Sequence, residues 1–155
     1  MKITSLCYIE QNGKYLMLHR TAKENDENED KWIGVGGKFE DGESPEECAV
    51  REIKEETGLN ARKLDFRGIV TFVSDKWPTE YMHLFTCRDF DGDVIKCDEG
   101  ELEWIDKNDL LRLNLWEGDK IFLRLIAEKR PFFSLKLEYE GERLVKAVLD
   151  GEDII

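Results

Sequence analysis

Three glutamates on a segment that must be helical, directly behind a cluster of glycines, constrain this chain more than any other feature. Glu52, Glu55 and Glu56 stand at i, i+3 and i+4, the spacing that brings side chains to one helical face. Like charges on one face repel, so such a face calls for a cation. A hard divalent metal ion, which takes carboxylate oxygens, answers the need.

The surrounding residues specify a loop and then a helix. Gly34, Gly36, Gly37 and Gly42 crowd the approach, and glycine lets a ligand come close to the main chain. Ser44 reads as the N-cap, Pro45 as the first helical residue, and Glu47 as the partner that completes a capping box. Ala49, Val50, Ile53 and Thr57 fall on one side at the helical period, and that side is expected to pack on a sheet. Gly58 suits a left-handed C′ position, with Leu59 folding back on the helix.

The run Gly-x5-Glu-x7-Arg-Glu-aliphatic-x-Glu-Glu-x-Gly-aliphatic is matched at every defined position by Gly37, Glu43, Arg51, Glu52, Ile53, Glu55, Glu56, Gly58 and Leu59. At average residue usage the odds of this at one start point are on the order of 10⁻⁹. In this signature the chain resembles the Nudix hydrolases.

The remaining chain reads as strands around two helices. Ile3–Glu10 and Tyr15–His19 flank a turn at 11–14. Polar residues 21–30 read as a mobile loop, and, lying near the expected substrate mouth, as a lid. Trp32–Phe39 alternates apolar residues with glycine and leads into the helix, and Arg67–Val73, Tyr81–Arg88 and Leu102–Ile105 read as strands. Asp119–Arg130 reads as a helix that stops at Pro131, and Phe132–Tyr139 with Arg143–Leu149 as a final hairpin. Strands on either side of two helices indicate a single α+β domain over residues 1–155. The resemblance implies the matching Nudix-type α/β/α sandwich, a mixed sheet between helices.

The chain carries 35 acidic and 23 basic residues, a net charge of −12. Such a surface repels nucleic-acid polymers and anionic membranes. It repels a polyphosphate too, unless metal ions and local basic groups reverse the sign at the site. Cys7, Cys48, Cys87 and Cys97 lack metal-binding spacing and are expected to be free core thiols. No stretch reads as a signal peptide or a membrane span, so a cytoplasmic setting is expected. His19 and His83 read as structural.

Hydrolysis of a phosphoanhydride needs charge neutralisation, a positioned water and a base. The resemblance implies Mg²⁺, with Mn²⁺ as an alternative, held by Glu52, Glu56 and the carbonyl of Gly36, with Glu55 as a further or outer ligand. Arg51 is expected to orient glutamates through its planar fork, and Glu43 to support it. Glu52, Glu55 and Glu99 all remain open as the general base.

Segments outside the signature extend the likeness. Trp32–Lys38, Tyr81–Phe85, Asp98-Glu99 ahead of Trp104, and Leu115-Trp116 ahead of Asp119 resemble the MutT-like 8-oxo-dGTP diphosphatases. That likeness implies hydrolysis of oxidised purine nucleoside triphosphates to a monophosphate and pyrophosphate. It adds Glu99 to the metal cluster. Ser5, Arg20, Ile33, Trp116 and Asp119 are then expected around base and sugar, with Gly36, Gly37 and Lys38 near the phosphates. Trp116 also fits a core anchor, and Asp119 a helix cap. Ile33 stands where animal members carry Asn, and Gly118 precedes a single Asp119 where they carry two. The other readings are hydrolysis of ADP-ribose or a dinucleoside polyphosphate, and a nucleotide-binding signalling module. Nothing in the sequence fixes the oligomeric state.

Overall fold

The computed structural model describes residues 1–21 and 25–155. Strands β1 (Lys2–Gln11) and β2 (Lys14–Arg20) form a hairpin closed by Asn12 and Gly13, with φ of 53° and 74°. Two positive φ values are what a two-residue type I′ turn requires. Alternation along these strands sorts their side chains to opposite faces. Leu6, Tyr8, Tyr15 and Met17 enter one core cluster, while Cys7, Ile9, Leu16 and Leu18 enter a second. Burial on both faces is why Leu6–Ile9 and Tyr15–Leu18 are unbroken apolar runs.

Next come β3 (Trp32–Ile33), β4 (Val35–Lys38), α1 (Pro45–Thr57), β5 (Asn60–Ser74), β6 (Glu80–Asp91) and β7 (Gly100–Asp106). A 3₁₀ turn over Lys107–Arg112, α2 (Glu117–Ala127), β8 (Phe133–Glu140), β9 (Arg143–Leu149) and β10 (Glu152–Asp153) complete the order. One ten-stranded sheet runs β10-β9-β8-β5-β6-β1-β2-β3, with β4 added on β1 and β7 on β2. The β1–β6 and β5–β8 pairs are parallel among antiparallel neighbours. Ala49 and Ile53 seat α1 on one face, and Phe122, Leu125 and Ile126 seat α2 on the other. The chain therefore adopts the expected α+β architecture, a mixed sheet between helices.

One detail of pairing creates the site. β1 uses the same edge twice: Thr4–Cys7 pair with β4, whereas Ile9–Gln11 pair with β2. Arg20 at the end of β2 and Gly36–Lys38 of β4 then line one cavity together with Lys2, Thr4, Ser5 and Leu6 of β1.

Several elements differ from the sequence reading. β5 begins at Asn60, seven residues early, because Arg62 binds Asp89 and Asp91 across the strands at 2.9 and 3.0 Å and gives that polar arm its register. The helix read as Asp119–Arg130 runs Glu117–Ala127 and is closed by Lys129 at φ 56° ahead of Pro131. On α1 the face is rotated: Val50 is 40% exposed, and Cys48 is buried with Ala49, Ile53 and Thr57. Glycines in β4 have no side chains to hold the helix off, so its inward arc extends toward the glutamates.

Of the expected lid, residues 22–24 lie outside the described residues. Asp26, Glu27 and Asn28 are folded against the cavity. All four cysteines are free and buried. Among the described residues no helix is long and apolar enough to cross a membrane.

Candidate active site

The glycines of β4 bring main chain and helix together. Register sets Gly36 against Leu6 and Gly37 against Ser5. A Cβ on Gly36 would overlap the Ser5 carbonyl, so only glycine fits. The Gly36 N–H donates to Glu56 Oε2 at 2.8 Å. Ser44 caps α1 with the full reciprocal box, worth about 1 kcal/mol. Ser5 Oγ donates to the Pro45 carbonyl at 2.9 Å, tying β1 to that helix start.

Arg51 organises the glutamates. Its Nε and Nη2 bind the two oxygens of Glu43 at 2.7 and 2.9 Å. Nη1 reaches Glu52 at 2.9 Å and Glu55 at 3.2 Å, and Nη2 also meets the Lys38 carbonyl at 3.0 Å. The Arg51 hydrogen bonds hold the Glu43 carboxyl down at about 2. Glu52 and Glu56 move the other way. Burial raises both, and neighbouring carboxylates (Glu99 foremost for Glu56) add to it. Glu99, just ahead of β7, is brought in by Gly100 pairing with Arg20, whose Nη1 donates to Glu99 at 3.1 Å.

The cavity, of about 490 Å³, is lined from both faces of the sheet. One end holds Gly36, Gly37, Lys38 and Glu52, and the other Phe72, Met82, Trp116, Asp119 and Leu137. Trp116 meets Phe72 and Tyr139 edge-on at 5.5 and 5.0 Å, and its Nε1 donates to Asn28 at 2.9 Å. Asp119 is 6% exposed, and burial pushes its carboxyl up to about 8.

Residues 2–126 match the NUDIX domain family. The chain belongs to the Nudix family. It is a Nudix hydrolase, an enzyme of phosphoanhydride bonds. It is 31% identical over 154 residues to the uncharacterised Nudix hydrolase YvcI of Bacillus subtilis, covering 96% of this chain and 94% of that one. With the oxidised purine nucleoside triphosphate hydrolase of Danio rerio it shares 28% over 146 residues, 93% and 90% of the two chains. The MutT protein of Bacillus halodurans superposes with TM-score 0.86 at 25% identity, over 98% and 99% of the chains.

Of the residues expected at the Nudix site, Ser5, Arg20, Ile33, Gly36, Gly37, Lys38, Glu52, Glu99, Trp116 and Asp119 all line the cavity. Arg51, Glu55 and Glu56 do not line it. Glu56 lies behind the wall, 6% exposed, and Glu55 faces outward at 58% side-chain exposure. The helical period sets all three glutamates on one side, away from the apolar residues; in the structure Glu52 and Glu56 turn inward against β4 while Glu55 stays exposed.

Trp116 is both a core anchor and a cavity wall. It is also the α2 N-cap residue, so Asp119 is not the cap. Thr4, Glu27, Phe72 and Glu80 line the cavity without having been expected there. Thr4 and Glu80 meet through a parallel pairing across 76 residues, which a single sequence does not display. Their one signal is polarity at inward positions of strands whose other inward residues are apolar.

Nudix hydrolases generally use divalent metal ions. Among the described residues, no three His, Cys, Asp or Glu side chains already converge closely enough to hold one. Glu52, Glu56 and Glu99 each turn instead to an N–H, of Arg51, Gly36 and Arg20 respectively. Three partly buried carboxylates kept this close carry a repulsion that a cation relieves. Their hard oxygen donors suit Mg²⁺ or Mn²⁺.

Proposed function

We propose that this Nudix hydrolase cleaves purine nucleoside triphosphates, oxidised ones such as 8-oxo-dGTP foremost, to a monophosphate and pyrophosphate. The observation that carries the reading is Asp119, buried in the wall of the cavity that Gly37 and Glu52 line at its other end. With its carboxyl near 8, Asp119 holds a proton at neutral pH and can donate to a base carbonyl. Trp116, fixed through Asn28, and Ile33 supply apolar surface to the base and sugar, with Ser5 beside them. The Danio rerio relative bears a name for this activity.

At the other end, Glu52, Glu56 and Glu99 would hold Mg²⁺ or Mn²⁺, with Glu55 and the Gly36 carbonyl as further donors. The ion, when bound, neutralises phosphate charge and acidifies water. The need is visible in the lining, where Asp26, Glu27, Glu52, Glu80 and Glu99 outnumber Lys2, Arg20 and Lys38. Lys38 then faces the phosphate chain, close by Gly36 and Gly37. Arg51 orients Glu52 while Glu52, Glu55 or Glu99 takes the proton from water.

Steady-state kinetics on 8-oxo-dGTP, dGTP, the other triphosphates, ADP-ribose and a dinucleoside polyphosphate test the proposal. An oxidised purine triphosphate is expected to give the highest kcat/KM. Equal values for oxidised and ordinary nucleotides, or a higher value for ADP-ribose, would overturn it.

A further inference from the structure

Away from the glutamates of α1, the cavity holds a second pair of carboxyl groups. Parallel pairing sets Lys2 beside Glu80 and Thr4 beside Met82. Thr4 Oγ1 donates to Glu80 Oε2 at 2.8 Å. Glu27, from the segment after β2, lies against Glu80 and takes Lys2 Nζ on its Oε1 at 2.8 Å. The Glu27 side chain is only 10% exposed, and its second oxygen, Oε2, is buried with no donor among the described residues. Both residues line the cavity.

Two carboxylates this close and this buried do not both ionise readily. Lys2 is the cation beside them, and Asp119, which senses the charge of Glu80, faces them with a third carboxyl. Glu27 Oε2 is therefore satisfied by a proton held between the pair, or, with the Glu27 side chain turned toward the cavity, by an N–H that a ligand brings. A buried acceptor left without either is destabilising.

We propose that Glu80 and Glu27 are specificity-determining residues that accept the ring N–H and exocyclic amine of a guanine-type base. This deepens the proposed function and rests on it. With Glu80 Oε2 taken by Thr4 and Glu27 Oε1 by Lys2, each residue keeps one further oxygen, and two such acceptors match the parallel donors of guanine's N1 and N2. Adenine sets a ring lone pair beside its amine, and that lone pair would face a carboxylate oxygen. Hypoxanthine keeps the ring N–H and lacks the amine, so comparison with it isolates the contact. A site built to bind such a group discriminates strongly against the analogue without it.

The test measures binding of dGMP and dIMP by calorimetry without metal, which separates base recognition from phosphate chemistry. Wild type is expected to bind dGMP at least about tenfold more tightly than dIMP. In Glu80→Gln the amide can keep the Thr4 bond and donate to Glu27, occupying the acceptor, so the ratio is expected to fall within about twofold. Glu27→Gln repeats the comparison should the first variant melt far below wild type. An undiminished ratio in the variants overturns the inference. A wild-type ratio near one also overturns it, and leaves hydrolysis of oxidised purines standing. If neither purine monophosphate binds while ADP-ribose is hydrolysed, both readings fall.

Discussion

Glu52 occupies the space that the missing side chain of Gly37 leaves: a Cβ on Gly37 would lie 2.5 Å from the Glu52 carboxyl carbon. Gly36, one residue earlier, is blocked by main chain instead. The two glycines thus serve different ends. Gly37→Ala meets the tip of a flexible side chain, so the fold is expected to survive while Glu52 is displaced. A shift of about 1 Å costs on the order of 10²-fold in rate. Gly36→Ala collides with the Ser5 carbonyl and is expected to unfold the β1–β4 pairing. Thermal melts beside kinetics check this, and equal losses of stability in both variants would contradict it.

Glu56→Gln keeps the acceptor for the Gly36 N–H and removes a carboxyl that burial and Glu99 make costly to ionise until a cation is present. Turnover is expected to fall by on the order of 10³-fold, and the rise in Tm on adding Mg²⁺ to shrink. Without metal at pH 8, the variant is expected to melt no lower than wild type. Unchanged Mg²⁺-dependent turnover would refute the role of this helix.

Arg51→Lys replaces a planar fork with a point charge that cannot serve Glu43 and Glu52 together. A fall in kcat of about 10–100-fold is expected, by analogy with the loss of other groups that orient ligands. The Glu43 carboxyl, lowered from 4.5 to about 2 by Arg51, contributes stability above about 4.5 that is lost as pH falls toward 2. Urea unfolding between pH 5 and 2 is expected to show a shallower acid loss in the variant. Identical acid limbs would argue against the pair.

Asp119→Asn tests the opposite sign. With its carboxyl raised from 3.8 to about 8 by burial, folded protein binds a proton that the unfolded chain has lost between those values. Stability from this group therefore falls as pH rises from about 4 to about 8. Relative to the variant, wild type is expected to lose on the order of 3–5 kcal/mol over that window. Unfolding at pH 5, 7 and 9 reads it, and parallel curves would show that Asp119 is ionised throughout.

Local signals carried most of the fold. Ser44, Pro45, Glu47 and Gly58 bound α1 because caps are written in adjacent residues, and Asn12-Gly13 closes its hairpin for the same reason. The polar arm of β5 escaped because its register comes from Arg62 reaching Asp89 and Asp91. Val50 was misplaced because helical period alone does not say which arc a neighbour will cover.

Residue order by itself determined the capped helix, its glutamates and the glycines before it, since each depends on neighbours within a few positions. The tertiary structure alone decided that Glu52 and Glu56 turn inward, and that Thr4, Glu27 and Glu80 share a cavity with Asp119. Those relations arise where strands distant in the chain pair, β1 with β4 and β6. Burial there, more than residue type, sets how each carboxyl holds its proton.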